Sequence, residues 1–182
     1  MSGFQMLDLQ DYPGQGTALV GLLDAFMDSK GIVSPDSFRT FCGAVVPLLQ
    51  TPRFVWSRDS VMHGEVLLSN YGESALSATV DWMVRNGSGQ NVGHGTVHGE
   101  CAAGSLTTLG EWRMGTENLA APTALTLELH VRGTAYRNAY HLWVYPAVQA
   151  DVSLPHGVRL FKRSDEASTT YLKRAGHALL PP

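Results

Sequence analysis

The chain has 182 residues, of which 44% are hydrophobic and 16% charged, and its formal net charge is -3 at pH 7. This composition is that of a globular protein and excludes the disordered class. The mildly acidic balance gives no reason to expect nucleic acid as a partner. No apolar run is long enough to span a bilayer, and no basic region followed by an apolar stretch marks a signal peptide, so neither a membrane partner nor a compartment is assigned.

The chain opens with a segment typical of a strand in a parallel sheet. Phe4 to Leu9 is an apolar run of strand length, and the turn at Pro13-Gly14 follows it. Strands covered by helices on both faces have this composition. The strand needs neighbours that the next hundred residues do not supply. We therefore expect a piece of a larger protein that begins at the last strand of a parallel barrel or sheet.

Two helices are predicted next. Thr17 is a suitable cap for the first, which Lys30-Gly31 would close, and whose apolar positions recur at helical spacing: Leu19, Leu22, Leu23 and Phe26. Ser34-Pro35-Asp36 supplies the N-cap, proline and acid that begin a second helix. The expected buried stripe of this second helix consists of Phe38, Phe41, Cys42 and Val45, and Pro47 limits its length.

Residues 53–146 change from helical to alternating periodicity. Apolar side chains alternate with polar ones at 78–85 and again at 125–132, as in half-buried antiparallel strands. Turns such as Asn86-Gly87 and Arg132-Gly133 recur at the spacing of a sandwich. About seven strands are predicted, and they favour an immunoglobulin-like β-sandwich.

Residues 147–182 read as a linker and the start of a further α/β module. Val158 to Phe161 is a short strand, Ser164-Asp165-Glu166 caps a helix that Gly176 closes, and Ala178 to Leu180 begins another strand. The fold class is thus mainly β, with an N-terminal β/α piece. The expected domains are 1–52, 53–146 and 147–182, with truncation at both ends.

The candidate site lies after the opening strand, at the edge where α/β proteins place their active sites. Asp8, Gln10 and Asp11 stand there. Paired carboxylates serve as acid and base in glycoside cleavage. The alternative is structural, with Asp11 capping the Pro-Gly turn and Asp8 pairing with a barrel neighbour. A hydrogen-bonding role towards a substrate is more plausible than a nucleophilic one.

Three other patterns have a functional and a structural interpretation. Gly14-Gln15-Gly16 before a helix suggests a phosphate-binding turn, but the motif lacks its third glycine and a nearby lysine, and a tight turn explains it better. His94, His98 and Glu100 share a strand face and suggest zinc, although residues four apart on a strand lie about 13 Å from each other. A solvated polar face is favoured, and no metal or cofactor is predicted.

Aromatic side chains could form a sugar-stacking platform or pack in the core. The candidates are Trp82, Trp112, Trp143, Tyr140 and Tyr145. Trp82 alternates with two valines and is expected in the core. Trp143 and Tyr145 lie on the opposite face from Leu142 and Val144, and either pair could be the buried one. Cys42 and Cys101 are expected to be free and at least half-buried.

Several stretches resemble glycoside hydrolase family 2, in the branch of the β-galactosidases and β-glucuronidases. Residues 3–21 are similar to the final strand and following loop of the catalytic (β/α)8 barrel, and the likeness continues through 23–26, 28–31 and 35–39. Residues 137–146 resemble the end of the immunoglobulin-like domain that follows this barrel.

The resemblance implies a parent enzyme that hydrolyses β-glycosides with retention, through two glutamates on earlier barrel strands. This chain would carry neither glutamate and would be inactive alone. The family commonly places an aromatic residue of the sugar pocket after the last barrel strand, and Tyr12 is the local candidate. The implied substrate-binding residues are therefore Asp8, Gln10, Asp11 and Tyr12. The implied partners are a β-glycoside and the remainder of the barrel.

A hypothesis of another class is a free-standing carbohydrate-binding or structural β-sandwich, with Trp112 as an exposed aromatic contact. A weaker third is a metal-binding module that uses His94 and His98. If the first segment lacks its barrel neighbours, the isolated chain should be poorly soluble or self-associating, because apolar faces stay exposed.

Overall fold

The computed structural model describes residues 5–16, 19–147, 154–161, 164–174 and 177–179. The chain divides into two compact units, Met1–Pro146 and Ala147–Pro182. Each unit is described by itself below.

The first unit contains a β-sandwich of two sheets. Strands β1, β3 and β6 form one sheet in that order, and the other sheet has the order β2-β8-β7-β4-β5. Neighbouring strands are antiparallel, except for the parallel pair of β2 and β8. The bounds are β1 Val45–Gln50, β2 Val55–Ser57, β3 Val61–Asn70, β4 Leu76–Asn86, β5 Asn91–Cys101, β6 Ser105–Gly115, β7 Thr123–Val131 and β8 Arg137–Tyr145.

Alternating apolar side chains build the core between the sheets. The alternation predicted for β4 and β7 is confirmed, since Val80, Val84, Leu127 and Leu129 are fully buried while their polar neighbours face outward. Trp82 packs edge-on against Trp112 in this core, with ring centroids 6.1 Å apart. Burying such alternating faces is the main force that holds a sandwich together.

The second predicted helix exists but is shorter than expected. Helix α1 spans Pro35–Phe41, with Ser34 as its N-cap, whose side chain accepts a hydrogen bond from the Ser37 amide. The expected buried stripe was wrong, because α1 has no buried residue and ends before Cys42. Val45 instead begins β1 and faces the core with Pro47, so sheet pairing with β3 outweighs the helical pattern.

The prediction of the first helix was wrong over the residues that the structure describes. Residues 19–30 form turns and isolated bridges. The Asp24 carboxylate accepts hydrogen bonds from the amides of Phe26 and Asp28, and this local turn competes with a helix. Met27 has a φ of 71°, which a right-handed helix cannot contain. Thr17, the expected cap, lies outside the described residues.

The prediction of an opening strand was also wrong over the residues that the structure describes. Residues 5–9 belong to no strand, and Gln10 pairs with Leu23 only as an isolated parallel bridge. A strand of a parallel sheet needs a hydrogen-bonded neighbour along its whole length. In the part of the chain that the structure describes, the bond from the Leu23 amide to the Leu9 carbonyl reaches just one end of residues 5–9. Phe4 lies outside the described residues. The N-terminal barrel piece is therefore not seen.

The second unit contains the predicted strand, helix and strand. Strand β9 (Val158–Leu160) pairs in parallel with β10 (His177–Leu179). Helix α2 (Glu166–Lys173) lies between them in sequence and begins with a capping box, in which Asp165 and Ser168 bond each other's backbone amides. Gly176, the predicted C-cap, lies outside the described residues.

Both cysteines are free, but only one lies where we expected. Cys101 is buried at the end of β5, as predicted. Cys42 follows the last residue of α1 and is exposed, so the expectation of a half-buried helical residue was wrong. Neither described helix, at 7 and 8 residues, could cross a membrane.

Candidate functional site

The four predicted substrate-binding residues lie in one irregular stretch with different environments. Asp8 is half-buried, and Gln10 is exposed beside its bridge to Leu23. Tyr12 is 59% exposed, whereas Asp11 is only 7% exposed. Asp11 is therefore buried within the segment, and the Tyr12 side chain is exposed to solvent.

The Asp11 carboxylate ties distant parts of the first segment together. Lys30 donates from Nζ to both carboxylate oxygens, at 2.9 and 3.1 Å, and the Gly21 amide donates to Oδ1 at 2.9 Å. The bond from Lys30 chiefly lowers the pKa of Asp11, burial opposes the shift, and the Gly21 amide adds to it. Asp11 is therefore ionised at neutral pH and already bound by groups of its own segment.

Gly21 is required for this arrangement. A Cβ at this position would collide with the backbone of Gln10 and Asp11. The close approach lets the Gly21 amide reach the carboxylate, and backbone bonds join Asp11 to Leu23 and Leu23 to Leu9. Polar contacts hold the loop of residues 9–30 closed.

The aromatic candidates separate into buried and exposed sets. Trp112 is 1% exposed, so its prediction as an exposed contact was wrong, while the core position predicted for Trp82 is confirmed. On β8, Leu142 and Val144 are the buried pair, and Trp143 and Tyr145 are 40% and 50% exposed. The outer face of β8 therefore carries the exposed aromatic pair.

Val55 extends this aromatic surface. It lies opposite Trp143 in the pairing of β2 with β8, and the Trp143 ring has its centroid 6.4 Å from that of His141. Exposed, rigid aromatic rings on a sheet face can stack on the apolar side of a ligand ring. The predicted substrate-binding residues Asp8, Gln10, Asp11 and Tyr12, by contrast, lie in the irregular first segment.

The histidine pattern on β5 does not form a metal cluster. His94, His98 and Glu100 are exposed and stand opposite Met83, Thr79 and Ser77 of β4. Among the described residues, no group of three or more histidine, cysteine or carboxylate side chains lies close enough to hold a metal ion.

Part of the chain matches a known family of unassigned function. Residues 60–146, just under half of the chain, match the family described as "Domain of unknown function (DUF8488)". This match covers the sandwich from β3 to the end of β8. No curated protein sequence matches the chain.

Similar solved structures cover only part of the chain. The Pseudomonas fluorescens alkylpurine DNA glycosylase AlkC, bound to DNA containing an abasic-site analogue, has 12% identity and a TM-score of 0.43, over 58% of this chain and 32% of its own. A β-glucuronidase from Parabacteroides merdae has 17% identity and a TM-score of 0.39, over 56% and 14%. Spo0M, the sporulation control protein of Bacillus subtilis, has 11% identity and a TM-score of 0.42, over 59% and 51%.

Proposed function

We propose that this chain is the region of a retaining β-glycoside hydrolase that follows its catalytic glutamates. The sandwich would be a non-catalytic domain, and the first segment would belong to the catalytic barrel. Its partners would then be the remainder of that barrel and, through the complete enzyme, a β-glycoside. The sequence resemblance to glycoside hydrolase family 2 suggests this role, and one structural observation supports it.

That observation is the exposure of apolar side chains between residues 5 and 41. Phe26 is 85% exposed in a unit whose sandwich buries its apolar faces. Large exposed apolar patches are typical of interaction surfaces, and we assign this one to the remainder of the barrel. The exposed set comprises Met6, Leu7, Leu9, Tyr12, Leu19, Val20, Phe26, Met27, Ile32 and Phe41.

The strand order supports the finer assignment of the sandwich as immunoglobulin-like. In such folds two Greek-key sheets pack face to face, and the larger sheet can carry additional strands at its edge. Here β1-β3-β6 faces β2-β8-β7-β4-β5, and the two sheets share one core.

Within the complete barrel, Asp8, Gln10 and Tyr12 would face the sugar. The Asp11 carboxylate already binds Lys30 and Gly21, so its part would be to hold the loop that presents them. Two glutamates from earlier strands would supply the acid/base and the nucleophile, which must lie about 5 Å apart to form a glycosyl-enzyme. The chain alone is then expected to be inactive.

The test compares this chain with the longest polypeptide that the same open reading frame encodes. Hydrolysis of 4-nitrophenyl β-galactoside, β-glucuronide and β-glucoside is measured for both. We expect turnover from the longer polypeptide only. In parallel, hydrogen exchange of residues 5–41 should be fast in this chain and strongly slowed in the longer one.

Phe26→Ser gives the matched variant, and Leu106→Ser on the sandwich is its control, since both residues are exposed. Phe26→Ser should lower activity of the longer polypeptide without changing the unfolding midpoint of this chain, and Leu106→Ser should change neither. Turnover by this chain, or residues 5–41 protected in it as strongly as the sandwich, would contradict the proposal.

A second candidate function is carbohydrate binding by the sandwich itself. The exposed pair Trp143 and Tyr145 on β8 favours it, because planar aromatic surfaces stack on sugar rings. Affinity electrophoresis in soluble β-glucan and β-mannan would detect retardation, which Trp143→Ala should abolish. Tyr71→Ala, an exposed aromatic change in the turn after β3, should leave it intact. Equal mobility with and without polysaccharide would eliminate this candidate.

A further inference from the structure

A groove of about 1440 Å³ crosses the outer face of the five-stranded sheet. Its floor is the outward side of β8, β7, β4 and β5, and α1 and the turn between β7 and β8 form its walls. Pockets that enclose small ligands commonly measure about 300–1000 Å³, so this groove has room for an elongated one.

The strand registers place the floor residues in two rows. Arg137 stands opposite His130, His130 opposite Asp81, and Asp81 opposite Thr96. One step along the strands, a second row joins the outward positions of the same four strands: Ala139, Glu128, Met83 and His94. With strands about 4.8 Å apart, the floor spans about 15 Å from Arg137 to His94.

The acidic side chains of the groove are already neutralised by arginines. Arg132 donates to both oxygens of Asp81, at 2.6 and 3.0 Å, and Thr96 adds a bond at 2.8 Å. These partners, Arg132 above all, lower the pKa of Asp81. Arg85 likewise bonds Glu128 at 3.2 Å.

Asp36 is paired as well, through Arg39 at 3.1 Å. Arg137 has no such partner. Within the described residues, its side chain makes no hydrogen bond or ion pair, and it lines the groove with its charge uncompensated. The groove lining holds three acidic side chains and three arginines, and of these arginines Arg137 is the one without a carboxylate partner among the described residues. An unpaired guanidinium at the end of a groove is suited to a carboxylate, which it can bind through two parallel bonds.

The groove also holds polar groups that are free to bond the hydroxyls of a ligand. Among the described residues, the rings of His94 and Tyr136 line the groove with no hydrogen bond from the imidazole or the phenol. His130 donates from Nε2 to the carbonyl of Thr134, at 2.9 Å, which leaves Nδ1 available. His130 and His94 lie on the floor between Arg137 and the far edge at β5, and Tyr136 lies in the wall next to Arg137.

We propose that this groove binds a short acidic saccharide, with a carboxylate on Arg137 and ring hydroxyls on His94, His130 and Tyr136. The site is separate from the aromatic pair Trp143 and Tyr145, which lie outside the groove towards the other end of β8. The four groups proposed to contact the ligand, Arg137, His94, His130 and Tyr136, all belong to the sandwich, and α1 of the first segment supplies one wall.

The test uses two trisaccharides that differ only at C6, β-1,4-linked trimannuronate with carboxylates and β-1,4-linked mannotriose with hydroxymethyl groups. Titration is followed by calorimetry and by NMR shifts of the groove amides. We expect the acidic trimer to bind at least tenfold more tightly than the neutral one. Arg137→Gln should weaken it by about tenfold or more, since a charge-assisted bond is lost. Arg58→Gln, an exposed arginine outside the groove, should have no effect.

A second pair of variants tests the far edge of the groove. His94→Ala should weaken both trisaccharides, whereas His98→Ala, four residues along the same strand and outside the groove, should weaken neither. Arg137 and Arg58 are exposed, as are His94 and His98. The unfolding midpoint of each variant should therefore be unchanged, and a loss of binding cannot be attributed to unfolding.

Several results would overturn the proposal. These are equal affinity for the two trisaccharides, unchanged binding by Arg137→Gln, or tighter binding of tri-aspartate than of trimannuronate, which would make the groove a peptide site. If Trp143→Ala abolished binding while Arg137→Gln did not, the sugar would lie on the aromatic end of β8. None of these results depends on the test for glycosidase activity.

Discussion

Residues 5–44 and residues 45–146 of the first unit differ in the kind of side chain that each removes from water. The sandwich buries apolar groups, among them Leu127 and Leu129 with no exposed surface. Among the described residues of the first segment, the buried ones are Asp11 and Gly21. Ten large apolar side chains are exposed there, and others such as Leu22 and Leu23 are half-buried.

The contrast shows what holds each region in place. The sandwich is stabilised by the area of apolar surface that its two sheets bury against each other. The first segment depends on a carboxylate that binds Lys30 and Gly21, together with a few backbone bonds. Polar contacts of this kind contribute little net stability in water.

Truncation of one large apolar side chain in each region should give the largest difference. Leu127→Ala leaves a cavity in the sandwich core and should lower the free energy of unfolding by about 2–5 kcal/mol. Phe26→Ala removes a larger but exposed ring and should change it by less than about 0.5 kcal/mol. Urea unfolding followed by tryptophan fluorescence measures both, since Trp56, Trp82, Trp112 and Trp143 all lie in the sandwich. Similar losses of unfolding free energy for Leu127→Ala and Phe26→Ala would contradict the proposed difference between the two regions.

A buried hydroxyl in the sandwich should have the next largest effect. Thr116 is fully buried; its Oγ1 accepts from the Ser60 amide at 2.9 Å and lies 2.9 Å from the Ser60 carbonyl, to which it donates. Thr116→Val keeps the shape and leaves the Ser60 amide without its acceptor, at a cost of about 1–3 kcal/mol, while the Ser60 carbonyl still accepts from the backbone amide of residue 116. Thr126→Val, on the outer face of β7, should cost less than about 0.5 kcal/mol by the same urea measurement. Equal losses of unfolding free energy for Thr116→Val and Thr126→Val would mean that water replaces the hydroxyl of Thr116.

The sandwich could be predicted from the sequence because its signals are local. Alternation along β4 and β7 fixes which face is buried, and Ser34-Pro35 marks the start of α1. The predicted helix at 19–30 failed for the opposite reason. Apolar residues at helical spacing stabilise a helix only where another surface packs against them. In the described structure, Asp24 and Met27 form turns there instead.

The groove could be predicted only in part. Alternation places Asp81 outward on β4, and His130 outward on β7, because their neighbours are buried. The sequence does not give the registers that align Asp81, His130 and Arg137 across three strands, since β4 and β7 are separated by two other strands in the chain. The substrate-binding role of Asp8, Gln10, Asp11 and Tyr12 stays a prediction.

Acid should loosen the first segment through Asp11. The pKa of this carboxyl is lowered in the folded chain, mainly by Lys30, so its bonds stabilise the segment above the unfolded pKa of about 3.9 and are lost as the pH falls through the folded value. The amide shift of Gly21 should therefore titrate with a midpoint below about pH 3.9. Lys30→Gln should move the midpoint upwards, while Lys173→Gln, in α2 of the second unit, should not. A wild-type midpoint at the ordinary value would contradict the bonded carboxylate.

The smallest effect should come from the ion pair of Asp81 and Arg132 on the sandwich, the exposed counterpart of Asp11 and Lys30. Its side chains are 37% and 61% exposed, against 10% and 26% for the pair in the first segment. Solvent screens an exposed pair, so a double-mutant cycle with Asp81→Asn and Arg132→Gln should give a coupling of about 0.2–1 kcal/mol. Added salt should reduce it further. Coupling well above that range would mean that the groove shields the pair from water, and the sandwich would then depend on a polar contact as the first segment does.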